Sequence, residues 1–440
     1  MQNRICVFAK HRYATSPAAI PFAVGTRVGI GTTVGIGNTN NTHKRILPTT
    51  PITTVAMWPD IIGQERAQRL LSQSIRDERV AHAYCMWGPE AVSAEALAIA
   101  FARAVNCLTP TISENAVVPC MNCRSCKQMH TLQHPNVQLV FALPTGKTGS
   151  GDDSPASRLS EDQLAQVQEE IARKAENPYH RISLEGASAI RIGTVRDVKK
   201  SVQLAQSQGG RRVFILLQAE LMTMEAANAL LKTLEEPQDN VTLILCTERK
   251  EMLPQTILSR CQQVQLEPLS DEIIADALQR TYHVEPAAAR ITASLAHGSI
   301  RRALDIQESN LLATRDEIVQ MLRTALKSGT YRIELLNAID ELVGNSDRAA
   351  ARTVLSLLLV WLRDAYALHA GADASVLVNQ DMTAVLTKFA QAYGSRDLPA
   401  AMAVIEETIR GLHGNAQIHL SMLTAMLSLR RIFAQPSAAS

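Results

Sequence analysis

The chain has 440 residues, of which 46 % are hydrophobic and only 4 % aromatic, and its formal net charge is +2. That length exceeds one ordinary domain and fits about two or three. So small a charge excludes a global polyanion-binding surface, and no uninterrupted run of about 18 apolar residues offers a membrane span.

Residues 1–56 contain no Asp or Glu and are rich in Thr, Gly and Asn, as in GTRVGIGTTVGIGNTNNTHKRILPTT. Such a segment has little to bury and reads as a disordered tail. Two other origins fit its composition: an organellar transit peptide, which a lack of acids permits, or an upstream extension of a frame that starts at Met57.

From Trp58 onward the pattern is α/β. WPDIIGQERAQRLLSQSIRDERVAHAY gives a turn over Asp60–Gln64, then a helix with Ala67, Leu70, Leu71 and Ile75 at helical spacing. The stretch from His82 to Cys107, HAYCMWGPEAVSAEALAIAFARAVNC, joins a buried strand, a Gly-Pro turn and an amphipathic helix. That is the frame of a phosphate-binding loop. A working loop reads G-x-x-x-x-G-K-[ST]: glycines let backbone N–H groups wrap the phosphates, Lys neutralises them, and the hydroxyl holds magnesium. Here Gly88 is present, but the second-glycine position is Ser93, the Lys position Ala94 and the hydroxyl position Glu95. A carboxylate there faces the phosphates it should help to bind.

Three of the eight cysteines crowd into Cys120, Cys123 and Cys126, with Cys107 just upstream. In a chain this long such clustering reads as metal binding in a reducing compartment, not as a secreted disulfide framework. Thiolates at this spacing converge from a tight turn, and Cys107 completes an all-sulfur set suited to tetrahedral zinc. Four protein ligands leave no open position, so the metal would be structural. Free cysteines in a helical hairpin are the plain alternative, and His130 is a substitute ligand to weigh. Cys85 and Cys246, in apolar strands, read as filler.

NVQLVFAL reads as a central strand, residues 144–162 as a polar linker, and DQLAQVQEEIARKAEN as a charged, solvated helix. Within the linker Gly146-Lys147-Thr148 spells GKT, but the position five before Gly146 is Phe141, so this is no phosphate loop. IRIGTVRDVKKSVQLAQ is a helix, RRVFILL a strand, MEAANALLKTLEE a helix and VTLILCT a strand. Strands alternating with helices imply a parallel sheet covered on both faces. In a nucleotide hydrolase the RRVFILL strand should end in Asp-Glu, Asp to organise magnesium and Glu to polarise water. It ends in Leu217–Gln218. Both halves of the machinery are therefore missing. Beyond about residue 268 the pattern is helical, with wide apolar stripes suited to helix packing.

GQERAQRLL, HAY…GP, C…CxxCxxC, NALLKTLEEP (Asn228–Pro237), ILSRC (Ile257–Cys261) and GSIRRAL occur in that order. Together they resemble the clamp-loader subunits of bacterial DNA polymerase III, members of the AAA+ class, from about Trp58 to Ala434. The resemblance implies an α/β AAA+ P-loop-like domain with a parallel sheet and an inserted zinc module, followed by a helical lid and an all-α collar. The implied boundaries are 57–267 for the AAA+-like domain and 268–325 for the lid, with 326–440 as a collar for oligomerisation. The zinc module falls at about 107–130 and a linker–helix insertion at about 144–177, where the chain departs from the family. Gamma and tau, the hydrolysing members, keep the Lys-Thr and Asp-Glu pairs. The chain resembles the delta-prime branch, which lacks them.

The same resemblance implies roles. Arg260, in Ser259-Arg260-Cys261, would be an arginine finger, projecting into a neighbour's nucleotide site to stabilise charge on the transferring phosphoryl group. The plainer use of such an arginine is a carbonyl contact or a surface ion pair. Arg301 aligns with the nucleotide-sensing arginine of the lid and Thr247 with a strand-end residue that positions water; beside a dismantled loop a vestigial role fits both equally. ATP is then expected on neighbouring subunits and not here. The implied partners are gamma/tau and delta subunits in a cytoplasmic heteropentamer, the sliding clamp, and primed DNA, with no membrane. Lys199, Lys200, Arg211 and Arg212 read as a solvated face, any DNA contact being shared and salt-sensitive. Two alternatives stand beside this reading: an active gamma/tau-like ATPase with an unusual loop, and a zinc-stabilised DNA-binding module.

Overall fold

The computed structural model describes residues 58–89, 93–114, 116–145, 155–203, 209–307, 310–329, 331–343, 348–413 and 416–434. The acid-free segment, Met57 and the Gly146-Lys147-Thr148 sequence lie outside the described residues. The chain opens with α1 (Glu65–Arg76), β1 (Ala83–Trp87) and α2 (Ala94–Asn106). An outlying module follows: the antiparallel pair β2 (Thr111–Ile112) and β3 (Val117–Val118), then α3 (Arg124–His130). Next come β4 (Val137–Val140), α4 (Glu161–Glu176), α5 (Ile192–Gln203) and β5 (Arg212–Leu216). After these are α6 (Met224–Glu235), β6 (Val241–Thr247), α7 (Gln255–Leu258) and β7 (Gln262–Gln265).

Five strands form one parallel sheet in the order β4-β5-β6-β1-β7. Its middle strands are apolar at consecutive positions because both faces are covered. Tyr84, Met86, Ile215 and Ile244 join α1 and α2 on one face, while Cys85, Phe214, Leu216 and Leu243 join α5 and α6 on the other. β4, expected to be central, is an edge strand. Only its last residue, Val140, is buried, because one flank has no neighbouring strand to pack beside. α1 is also turned slightly from its expected face: Leu70 is exposed, and Gln68 and Ser72 are buried. The Gln68 amide explains its own burial, accepting the Trp58 N–H at 3.0 Å and donating to the Gly63 carbonyl at 2.6 Å.

Three helices follow, α8 (Asp271–Tyr282), α9 (Pro286–Ala296) and α10 (Ile300–Gln307). Their buried Ile274, Leu278, Ala293 and Ile300 belong to the same apolar cluster as Leu97 and Phe101 of α2. Gly298, between α9 and α10, has a φ of +82° and would place any Cβ 2.5 Å from that of Pro268, so only glycine closes this junction without strain. α11 (Leu311–Leu326), α12 (Arg332–Val343), α13 (Arg348–His369), α14 (Thr383–Tyr393), α15 (Leu398–His413) and α16 (Ile418–Ala434) complete the chain. They build a second core around Leu355, Leu358, Trp361 and Leu362, and α11, which the sequence boundaries group with the lid, contributes Ile318 and Leu322 to it. Among the described residues no strand follows Gln265, and no helix is long and apolar enough to cross a membrane.

Candidate functional site

In open parallel sheets ligands bind outside the carboxyl ends of the strands. A cleft lies at that edge here, lined by Gly88 after β1, Gln218 and Glu220 after β5, Thr247 and Glu248 at the end of β6, and Arg301 from α10. The residues expected to replace a phosphate loop are therefore brought together. Ser93 takes a left-handed turn at φ 64° into α2, and Ala94 and Glu95 form the helix's first turn. Unpaired N–H groups at such a helix start attract an anion. The anion present is the carboxylate of Glu95, ion-paired with Lys174 of α4. Lys174 is only 1 % exposed and also donates to the His180 carbonyl at 2.6 Å.

That burial corrects the reading of α4 as a solvated helix. Val167, Glu170 and Lys174 are buried, on a stripe continued by Leu164 and Ile171. The signal was available in the apolar spacing of Leu164, Val167 and Ile171, but a lysine extends the stripe and hides it.

The acidic position offers no carboxylate. Leu217 is fully buried in the core, and the Gln218 amide accepts from Arg181 at 3.0 Å and donates to the Ile182 carbonyl at 3.3 Å. The Thr247 hydroxyl accepts the Arg249 N–H at 3.1 Å. Arg301 pairs with Glu248 at 2.9 Å, and Arg181 reaches the other oxygen of the same carboxylate at 3.6 Å. Cys246 is buried in the lining, and desolvation pushes its thiol well above the ordinary range. Lys174, Tyr179, Arg181 and Glu248 were all missed by motif reading, because none of them belongs to a recognisable pattern.

Arg260 lies outside this cleft, just past α7. One guanidinium nitrogen donates to the Thr256 carbonyl at 2.9 Å and another pairs with Glu235 of α6 at 2.9 Å. These are the contacts of the plainer reading, yet they leave the side chain 37 % exposed. Of the basic residues read as a solvated face, Arg211 is not one. It is half-buried, donating to the Val80 carbonyl at 3.0 Å, and burial lowers its pKa. Arg212 stacks over Phe214 at 5.9 Å.

The second site is sulfur. Cys107 ends α2, Cys120 and Cys123 lie on the turn into α3, and Cys126 is within it. Their four Sγ atoms lie within 4.8 Å of one another. A tetrahedral ion with Zn–S bonds near 2.3 Å needs edges of roughly 3.8 Å, so only a small contraction separates this arrangement from a closed metal site. Successive N–H groups already point at the sulfurs, from Cys120 to Cys107 at 3.2 Å, Cys123 to Cys120 at 3.3 Å and Cys126 to Cys123 at 3.4 Å. The Thr109 hydroxyl, with the N–H groups of Cys123 and Asn122, holds the Cys120 thiol down to about 5, while burial pushes Cys126 up. His130 is not part of the group. The module is anchored to the core: Trp58 Nε1 donates to the Val117 carbonyl at 2.9 Å, and buried Arg103 of α2 reaches the Met121 sulfur at 3.7 Å.

A family described as DNA polymerase III, delta subunit, matches residues 63–270. Its C-terminal counterpart, DNA polymerase III, delta subunit, C terminal, matches residues 309–429. The chain belongs to the clamp-loader subunits of DNA polymerase III. The DNA polymerase III subunit delta' of Bacillus subtilis (strain 168) is 24 % identical over 369 residues, 83 % of this chain and 96 % of its own length. The delta' subunit of Escherichia coli (strain K12) is 28 % identical over 305 residues, 66 % of this chain and 87 % of its own length. Subunit tau of Bacillus subtilis (strain 168) is 26 % identical over 264 residues, but those span 59 % of this chain and only 38 % of tau. Among clamp-loader subunits the chain is thus delta-prime-like, matching delta' nearly end to end and tau over less than half of its length.

Proposed function

We propose that the chain is the non-hydrolysing, delta-prime-type member of a clamp loader. It would join gamma/tau and delta subunits in a cytoplasmic heteropentamer that places the sliding clamp on primed DNA during replication. The observation that carries this is the cleft. Where catalysis needs Lys and a hydroxyl the chain has Ala94 and Glu95, where it needs Asp-Glu it has Leu217–Gln218, and Glu95 is already committed to Lys174. Among the described residues neither Ala94–Glu95 nor Leu217–Gln218 supplies the groups that organise magnesium or polarise a water, and on this reading ATP belongs to the neighbours. What the chain gives them is Arg260, exposed beyond its contacts with Thr256 and Glu235 and rich in donors for a phosphoryl group. The sulfur cluster would hold zinc as a structural ion, its four thiolates closing the metal's coordination. Zinc would supply rigidity to the β2–β3–α3 module and no chemistry.

The test is nucleotide binding and turnover in the isolated chain and in a complex rebuilt with gamma and delta partners. The expected outcome is no ATP binding by the chain alone, and DNA- and clamp-stimulated hydrolysis only in the assembly. Specific binding with turnover in the isolated chain would overturn the reading in favour of a gamma/tau-like ATPase.

A further inference from the structure

The cleft is occupied by the chain itself. α4 and the segment after it send one side chain after another into it, and each finds a partner on a different wall. At the polar end Lys174 meets Glu95 at the start of α2. At the apolar end Tyr179, only 6 % exposed, lines a small cavity with Ile61, Ile62 and Leu97 of the core and Leu269, Gly298 and Ile300 at the base of the lid. Its hydroxyl accepts the Ile62 N–H at 2.8 Å and donates to the Asp60 carbonyl at 3.3 Å. Between these ends Arg181 approaches Glu248, the carboxylate that also receives Arg301 from α10. One continuous piece of chain therefore touches the start of α2, the turn before α1 and, through Glu248, the lid.

We infer that residues 161–184 act as a tethered occupant of the cleft, standing in for a bound nucleotide and setting the angle between sheet and lid from within the chain. This deepens the reading above and rests on it. A ligand that bridges two units holds them together only while bound; a tethered one is present at effectively fixed concentration, because its local concentration is set by the linker and not by solution. The chemistry fits the substitution. The Glu95 carboxylate supplies the anion that the start of α2 favours, Lys174 its countercharge, and the Tyr179 ring an aromatic plane between two apolar walls. With these groups in place the start of α2 and the apolar wall already have partners that a nucleotide would have to displace.

The experiment is hydrogen–deuterium exchange of the full chain, wild type, Tyr179→Ala and Lys174→Ala, with and without millimolar MgATP. The wild type is expected to show no response to MgATP. The variants are expected to exchange on the order of tenfold faster in α8, α10 and Ile61–Gln64, with α12–α16 unaltered, as local opening requires. Unchanged lid exchange in both folded variants overturns the inference, and so does a rise spread evenly into α12–α16. If either variant fails to fold, Tyr179→Phe decides. It keeps the ring and loses both hydroxyl hydrogen bonds, and it must loosen Ile61–Gln64 ahead of the second core. The two readings fail differently. MgATP binding to the wild type with protection of the cleft defeats both, whereas a wild type blind to MgATP with a lid indifferent to the variants defeats the tether alone.

Discussion

Arg260 and Glu235 face each other at 2.9 Å across the step from α7 to α6, both partly in solvent. An exposed pair of this kind contributes about 0–1 kcal/mol. It can aim a guanidinium without holding it fast. In a rebuilt loader, Arg260→Ala is expected to leave assembly intact by size exclusion and to slow hydrolysis at the adjacent site on the order of a hundredfold or more. Arg260→Lys should not restore it, because an ammonium lacks the planar fork. Glu235→Gln should stay within about threefold of wild type, as the weak pair implies. Full turnover in an assembled Arg260→Ala complex would reduce this subunit to a scaffold.

The Lys174–Glu95 pair makes a separate prediction about stability. Removing one partner leaves an uncompensated charge in a closed site, costing about 3–5 kcal/mol, while replacing both with apolar groups is often neutral. Lys174→Met and Glu95→Leu are each expected to lower the denaturation midpoint, and the double variant Glu95→Leu with Lys174→Met to recover most of the loss. Additive single effects in that cycle would mean the two side chains do not act as a pair.

The cysteine cluster is checked by metal analysis under reducing conditions. About one zinc per chain is expected, lost in Cys120→Ser and on prolonged chelation. Loss should loosen β2–β3 and the Trp58–Val117 hydrogen bond that ties the module to the core before it affects α12–α16. A metal-free chain of full thermal stability would make the cysteines ordinary packing.

His134 predicts a pH dependence. It is buried, with Nδ1 accepting the Asn136 N–H at 3.1 Å and Nε2 3.0 Å from the Ser125 hydroxyl, and burial lowers its pKa. The folded state therefore binds fewer protons than the unfolded state below the unfolded value near 6.5. Stability held above that pH is lost as pH falls through it, by at most about 1.4 kcal/mol per pH unit. His134→Gln should cost stability at pH 8 through its lost hydrogen bonds, and the gap to wild type should narrow between pH 6.5 and 5, measured with zinc saturating. A gap that stays constant over that range would show that His134 does not titrate on unfolding.

Much of the fold was legible because two periodicities alternate along the chain. AYCMW, RRVFILL and VTLILCT could only be strands buried on both faces, and MEAANALLKTLEE only a helix. The sulfur cluster was legible from spacing alone. Edge or centre was not: β4 is as apolar as its neighbours, and the order of strands depends on crossovers that no local pattern records. Nor could sequence show which side chains line the cleft. Lys174 reads as part of a charged, solvated helix and Tyr179 belongs to no pattern, and they become interior only because Glu95 and the Ile62 N–H lie where they arrive.

β1 and β7 run parallel, with Tyr84 opposite Gln262 and Trp87 opposite Gln265. The cleft opens where β1 ends, whereas Arg260 stands just before β7 begins, at the other end of the strands. On the proposed reading the molecule has a giving end and a receiving end, the second closed by its own residues. Joined head to tail with others of its fold, such a chain could pass an arginine onward and accept none usefully in return. It would mark where a row of subunits stops, giving a ring of near-identical shapes a fixed starting point.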